Sequence, residues 1–217
     1  MGMKVTLEQS NSAAESCVAA LNERFSGSGV ESTVEHHSNA FKMAFVRIDA
    51  TPQHWLAVAK FMKFDLSVNY CSMVTGTHYP DGPAERGWEV AYHMMRMPVS
   101  NVVPHTNTTH IAENLSGDDI PMEFEVRIAI EQGDSPTVPS IQSLWVGADW
   151  NEKETWDLVG INFEGHRNMH RVLNPHDSPD EFHPLQKQHK LRYHGHNEMY
   201  DDAQGFGRKP ADEGRNK

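Results

Sequence analysis

Glu123-Phe124-Glu125-Val126-Arg127-Ile128-Ala129-Ile130 carries its apolar side chains with a period of two. An extended chain points successive side chains to opposite sides, so Phe124, Val126, Ile128 and Ile130 share one face. Glu123, Glu125 and Arg127 take the other, and the run reads as a half-buried strand. Trp88-Glu89-Val90-Ala91-Tyr92-His93-Met94 repeats the pattern, with Glu89 and His93 between the apolar positions. Upstream, Phe41-Met43-Phe45 and Ala44-Val46-Ile48 put apolar groups on both faces, which predicts a central strand over Phe41–Ile48 covered on both sides. Leu66 to Val74 reads as another strand.

Helical signals surround these runs. Ser12-Ala13-Ala14-Glu15 fits a capping box, followed by Ala14, Cys17, Val18, Leu21 and Phe25 at helical spacing. Thr51-Pro52 places an N-cap before proline at the first helical position, and Trp55, Ala59 and Met62 form the stripe behind it. Two further helices are expected, Ser140–Trp145 and Trp150–Gly160, the second opened by the box Asp149-Trp150-Asn151-Glu152. The polar stretch from Arg96 to Pro121 is long for a loop, and a short strand at Val99–Val103 would relieve it. Strands and helices that mix without strict alternation point to an α+β domain with a mainly antiparallel sheet. From Asn174 onward the periodicity stops. The expected organisation is a domain over 1–173 and an extended, partner-binding tail over 174–217.

Composition narrows the function. The 217 residues hold 19 Lys and Arg against 30 Asp and Glu, a formal net charge of −11. That excess disfavours nucleic acid, which is gripped through its phosphates by basic side chains. It equally disfavours an anionic lipid surface. Mean hydropathy is −0.62, and no apolar run approaches the ~20 residues of a membrane span. Residues 185–217 are the exception, with seven basic against five acidic side chains, so the tail is expected to lie on an acidic surface. Cys17 and Cys71 form no metal or disulfide pattern and point to a reducing compartment. The first ten residues carry no secretory or transit signal, which favours a prokaryotic, cytoplasmic setting. The loose match of the N-terminus to a myristoylation pattern stands alone, so no direct lipid anchor is expected.

Chemistry-bearing constellations are few. Glu152 and Glu154, two apart, leave a helix on different sides, whereas Glu154 and Asp157 share a face with Trp150. Such a face is either solvated and ion-paired, with Arg167 and Arg171 near in sequence, or the seat of a carboxylate with a raised pKa. Seven of the 14 histidines fall between His166 and His196. His166 and His170 have the spacing of a two-ligand helical metal face, yet no HExxH, no nearby Cys and little room for a helix accompany them. Neither GxSxG, Walker A nor a GxGxxG between strand and helix occurs.

One segment says more. Trp150-Asn151-Glu152-Lys153-Glu154-Thr155-Trp156-Asp157-Leu158-Val159-Gly160-Ile161-Asn162-Phe163-Glu164-Gly165-His166 closely resembles the signature of the C-type subunit of the proton-pumping NADH–quinone oxidoreductases, respiratory complex I. That signature reads approximately W-x-E-R-E-x-x-D, a hydrophobic residue, x-G-I-x-F-x-G-H-P, then R-I-L and H-P-L-R-K. Arg171-Val172-Leu173 and His183-Pro184-Leu185 with Lys187 continue the match. Lys153 replaces an arginine of the signature, Arg167 a proline and Gln186 an arginine. An Arg-to-Lys change loses the bidentate fork, and these departures bear on which complex the protein serves.

The resemblance implies a non-catalytic member of a hetero-oligomer, with no catalytic, cofactor-binding or metal residues of its own. The complex would use NADH or another donor, flavin, iron–sulfur clusters and quinone. It implies packing against the quinone-site subunit and iron–sulfur subunits of a peripheral arm, on the cytoplasmic face of a prokaryotic membrane. Family-motif candidates for that interface are Trp150, Glu152, Glu154, Asp157, Gly160, Phe163, Gly165, His166, Arg171, His183, Pro184 and Leu185. Trp150, Trp156 and Arg171 are the expected anchors, because interface cores favour such residues. The same role in a group-4 NiFe hydrogenase or a deazaflavin-type dehydrogenase is the alternative. A metal-dependent enzyme built on the histidine cluster is the reading from another class. If a partner holds the tail, trypsin should cut the free chain first after Lys187, Lys190 or Arg192.

Overall fold

A computed structural model describes residues 5–97 and 120–189. The chain runs α1 (Leu7–Arg24), β1 (Glu31–His36), β2 (Ala44–Ala50), α2 (Pro52–Phe64), β3 (Tyr70–His78) and β4 (Trp88–Arg96). It continues with β5 (Met122–Ile130), β6 (Thr137–Pro139), α3 (Ala148–Val159) and β7 (Asn162–Glu164). Five strands form one sheet in the order β1-β2-β5-β4-β3, in which only the β2–β5 pair is parallel. β6 and β7 make a separate two-stranded parallel ribbon. The mixed, mainly antiparallel α+β class expected from the alternating runs is the one observed.

Period two governs the burial. Along β5, Met122, Phe124, Val126, Ile128 and Ile130 are buried and the residues between them are half-buried. β4 opposes it with Trp88, Val90, Tyr92, Met94 and Arg96. The helices lie on this same side. Trp55 of α2 stacks at a tilt on Tyr92 with ring centroids 4.4 Å apart, both fully buried. Ser10 of α1 bonds the backbone of Ala44, and Thr155 of α3 donates to the Val74 carbonyl at 3.0 Å. Truncating a tryptophan at such a site costs about 3–5 kcal/mol, which makes Trp55 a keystone of the core. Burial also pushes the Cys71 thiol up to about 12, so it packs as a small apolar group.

The sheet's other face carries the polar partners of those runs, in register across strands. One row reads Thr33, Arg47, Glu125, His93, Met73; the next reads Glu31, Asp49, Arg127, Ala91, Thr75. Among the described residues no helix packs on this side.

Several expectations need correction. α1 starts at Leu7, not near Ser12: Thr6 is the N-cap, and Thr6 and Gln9 close a reciprocal capping box upstream of the Ser12 one. Ser12 lies inside the helix because the buried stripe extends back to Ser10. β2 begins at Ala44, and Phe41 is 79% exposed, so this strand buries a single face. The strand expected at Leu66–Val74 lies four residues later, at Tyr70–His78, because Leu66 and Val68 are buried in the turn leaving α2. Residues 140–145 form turns and not a helix. α3 is preceded by Gly147 with no side-chain cap, so Asp149 and Glu152 serve other ends. The proposed strand at Val99–Val103 lies outside the described residues. Asn174, His183, Leu185 and Gln186 are hydrogen-bonded to the end of α3, and the compact unit that contains it runs to Lys187, so residues 174–187 belong with the body and not with a tail. Lys187 itself donates its N–H to Nδ1 of His78, while Lys190 and Arg192 lie outside the described residues.

Candidate functional site

The segment that carries the sequence signature is built around α3. Its two ends hold two buried carboxylates, and each organises a different stretch of chain.

At the N-terminal end, Glu152 is fully buried. Its carboxylate accepts Ser140 Oγ–H at 2.5 Å and the Ile141 N–H at 2.8 Å, which ties the turn before α3 to the helix. Desolvation pushes Glu152 up to about 7 even though both bonds favour the charged form. Asp149 sits one turn earlier, where it accepts from Lys153 Nζ at 2.9 Å and from Gln142. The Lys153 bond holds its carboxyl below the usual range. His166 is enclosed beside them: Nδ1 accepts the Asn168 N–H, which leaves Nε2–H to donate toward the Asp149 carbonyl at 3.3 Å. Its Nε2 is 3.4 Å from the Asp149 carboxylate and 4.0 Å from that of Glu152. Gly165, which aims His166 inward, has φ +83° with open space around it, so its conformation and not its size requires glycine.

At the C-terminal end, Asp157 is fully buried and receives five hydrogen bonds on its carboxylate. Arg171 Nη1 donates at 2.7 Å, the N–H groups of Val172, Leu173 and Asn174 at 2.8–3.0 Å, and Asn174 Nδ2 at 2.9 Å. Burial alone would raise this acid, but the Asn174 and Leu173 donors outweigh it and hold the group well below the carboxylate range. Arg171 continues outward. It donates to the carbonyls of Phe182 and Asp180 and to that of Pro179, and its guanidinium lies 5.4 Å over the Trp156 ring.

The helix ends in a cap made by the chain that follows. The last carbonyls of a helix have no intrahelical donor and need partners. His183 Nδ1–H and Asn174 Nδ2 donate to the Asp157 carbonyl, the Leu185 N–H to that of Leu158, and Gln186 Nε2 to that of Val159. Gly160 closes the helix at φ +89°, and a Cβ there would stand 2.7 Å from the His183 ring and 2.6 Å from Gln186 Nε2. His183-Pro184-Leu185 is therefore a helix cap, with Pro184 ending any competing hydrogen-bond register.

The motif residues separate into two groups. Glu152, Asp157, Arg171, His166 and His183 are spent inside the chain, and Phe163 of β7 fills the core. Arg171 in particular is only 5% exposed, which corrects its expected role as an outward anchor: it braces Asp157. Asp157 likewise does not share a solvated face with Glu154. Trp150, by contrast, is 53% exposed and donates Nε1–H to Glu154 at 2.7 Å, and Leu185 is also exposed. The pairing of Arg171 with Asp157 was legible in the sequence as a nearby counter-charge; Arg167 instead uses its N–H to reach Gln142. The sequence reading gives no role to Ser140, which donates to Glu152 from the turn before α3, or to Asn174 and Gln186, since partners brought together from separate stretches leave no local signal.

The described histidines of this cluster are placed as follows. His170 bonds the Asn168 carbonyl and faces His176, with centroids 6.5 Å apart. Among the described residues no three His, Cys, Asp or Glu side chains converge as a ligand set. His194 and His196 lie outside those residues.

Similarity to other proteins includes this segment and extends over the sheet. The family described as "respiratory-chain NADH dehydrogenase, 30 kDa subunit" matches residues 48–195. The C-type subunit of the NADH-quinone oxidoreductase of Azorhizobium caulinodans is 31% identical over 156 residues, which is 70% of this chain and 61% of that protein. The J-type subunit of the NAD(P)H-quinone oxidoreductase of Prochlorococcus marinus is 32% identical over 130 residues, 60% of this chain and 64% of that one. The chain thus spans less than two thirds of either relative. Among solved structures, a chain of the membrane-bound sulfane sulfur reductase, an archaeal respiratory membrane complex, superposes with a TM-score of 0.56. It covers 92% of this chain and 96% of that chain at 15% identity, a likeness of fold.

Proposed function

This chain belongs to the family of the 30 kDa subunit of respiratory-chain NADH dehydrogenase, and from that premise we propose that it is a non-catalytic structural subunit of a membrane-associated NADH–quinone oxidoreductase. It sits in the peripheral arm, packs against the quinone-site subunit and iron–sulfur subunits, and holds no cofactor itself. Electron transfer and the ion translocation coupled to it take place elsewhere in the complex. Its membrane attachment runs through those partners, on the cytoplasmic side; no helix among the described residues is long and apolar enough to cross a bilayer.

The observation that carries this reading is how the motif's polar groups are employed. Glu152, Asp157, Arg171 and His183 are each committed to hydrogen bonds that shape the chain from Ser140 to His183. A catalytic acid or base needs access to a reacting atom. These groups instead make a rigid frame, which leaves Trp150 and Glu154 displayed on its surface. An aromatic side chain with a polar tip suits the centre of an interface.

The test is co-purification. A tagged full chain, isolated from detergent-solubilised membranes of its own host, should bring down the other subunits and NADH:quinone oxidoreductase activity. Deleting the gene should abolish assembly of that activity, and restoring the full chain should recover it. A chain that purifies alone, or turns over a donor alone, overturns the proposal. Co-purifying hydrogenase or deazaflavin-dehydrogenase subunits would move the same role to another complex.

A further inference from the structure

The three helices among the described residues all pack on one side of the five-stranded sheet, and among those residues its other side is uncovered. At strand spacings of about 4.8 Å and a rise of about 3.3 Å per residue, that face measures on the order of 600 Å². One partner's share of a standard protein interface is about 600–1,000 Å², so the face reaches the lower end of what docking requires.

Its chemistry is specific. Five carboxylates point out from it, those of Glu31, Glu35, Asp49, Glu123 and Glu125, against the two guanidiniums of Arg47 and Arg127; a sixth, Glu89, is on the same side in register but is buried. The arginines are already engaged: Arg47 with Asp49 at 2.9 Å and Glu35 at 3.4 Å, Arg127 with Glu125 at 2.5 Å. Glu123 is approached by His37 at 2.8 Å and His93 at 3.6 Å, and Glu89 by Arg86 from the neighbouring turn. Even so, the face keeps a surplus of negative charge, with Asp49 46% and Glu35 41% exposed. On the β3 edge the same face exposes Tyr70 and Met73, 52% and 48%. A surplus of carboxylates toward the β1 edge and exposed apolar side chains on the β3 edge fit a protein surface rich in Lys and Arg, with a few apolar groups of its own. They fit neither nucleic acid nor an anionic bilayer.

We propose that the uncovered sheet face, with its carboxylate rows and the Tyr70–Met73 edge, is a docking surface for a basic protein of the same complex. This rests on the structural role proposed above and adds the surface and the charge of the partner.

Charge insertion tests it without breaking an ion pair. Thr33 and Thr75 lie on this face and are exposed, so Thr33→Lys with Thr75→Lys adds two positive charges there. Glu15→Lys with Glu23→Lys makes a larger change on exposed positions of α1, on the opposite side. Each tagged full chain is purified from membranes, and the co-purifying subunits are quantified. The T33K/T75K chain should recover at least ten-fold less partner than wild type, while the α1 variant recovers wild-type amounts. Isolated T33K/T75K should melt within a few degrees of wild type, which excludes misfolding as the cause. A variant that destabilises the chain is replaced by Thr33→Lys alone, judged by the same ratio.

Undiminished recovery by T33K/T75K, or equal loss in both variants, overturns the docking surface and leaves the structural role standing. Wild type that recovers no partner overturns the structural role itself. An isolated chain that dimerises, and is made monomeric by T33K/T75K, would assign the face to a second copy and overturn the basic partner.

Discussion

Arg171 lies 2.7 Å from Asp157 with both side chains buried, and the pair fastens the end of α3 to the chain 14 residues further on. A buried ion pair is costly to form, because two charges leave water, and more costly to break, because one charge is then left unpaired. Here the cost is shared among donors: Asp157 also holds three backbone N–H groups.

Asp157→Asn should therefore destabilise the isolated chain by about 3–5 kcal/mol, measured by urea unfolding at pH 7. Because the Asp157 carboxyl is held below its ordinary range, its stabilisation is present above pH ~4 and is lost as pH falls further. The variant should show a shallower acid-unfolding limb than wild type. A loss under 1 kcal/mol would mean the pair is not the brace described.

Glu152 has the opposite linkage. Burial places its folded-state value at about 7, above an unfolded value of about 4.3. Its contribution is fully present below pH ~4.3 and is lost as pH rises through about 7, a change on the order of 4 kcal/mol at 1.36 kcal/mol per unit. Glu152→Gln should remove that pH dependence, so the stability difference between wild type and variant shifts toward the variant from pH 4.5 to pH 8. Parallel stability curves for the two proteins would contradict it.

Gly160 and Gly165 both adopt positive φ, but only Gly160 is crowded. Gly165→Ala should cost about 1–2 kcal/mol, the strain of a left-handed backbone. Gly160→Ala adds displacement of His183 and Gln186 from the carbonyls they cap, so its loss should be larger and trypsin cleavage after Lys187 faster. Equal losses would show that the 183–187 cap contributes little.

Trp150→Ala should leave the isolated chain within about 0.5 kcal/mol of wild type, as exposed positions do. Recovery of partner subunits from membranes should drop several-fold. Unchanged recovery would remove Trp150 from the interface.

Much of this was legible from local pattern. The alternation in Trp88–Met94 and Phe124–Ile130 specified two central strands, since period two has one structural meaning when one face is buried. The stripe of Trp55, Ala59 and Met62 specified α2 in the same way. The signature from Trp150 to His166 pointed to the family on its own.

What the tertiary structure decided is what separate stretches do to one another. Ser12-Ala13-Ala14-Glu15 and Asp149-Trp150-Asn151-Glu152 satisfy the rule for a capping box, yet both lie inside helices. A capping box is stabilising only where a helix starts, and packing sets that point: Ser10 against Ala44, and Glu152 against Ser140. Glu154 and Asp157 look alike in sequence, three residues apart on one helix. One remains at the surface beside Trp150, and the other is enclosed because Arg171 and residues 172–174 fold back over it. Periodicity records which face of an element is apolar; which distant residues will cover that face, and neutralise what is buried there, depends on loop closures that no local pattern encodes.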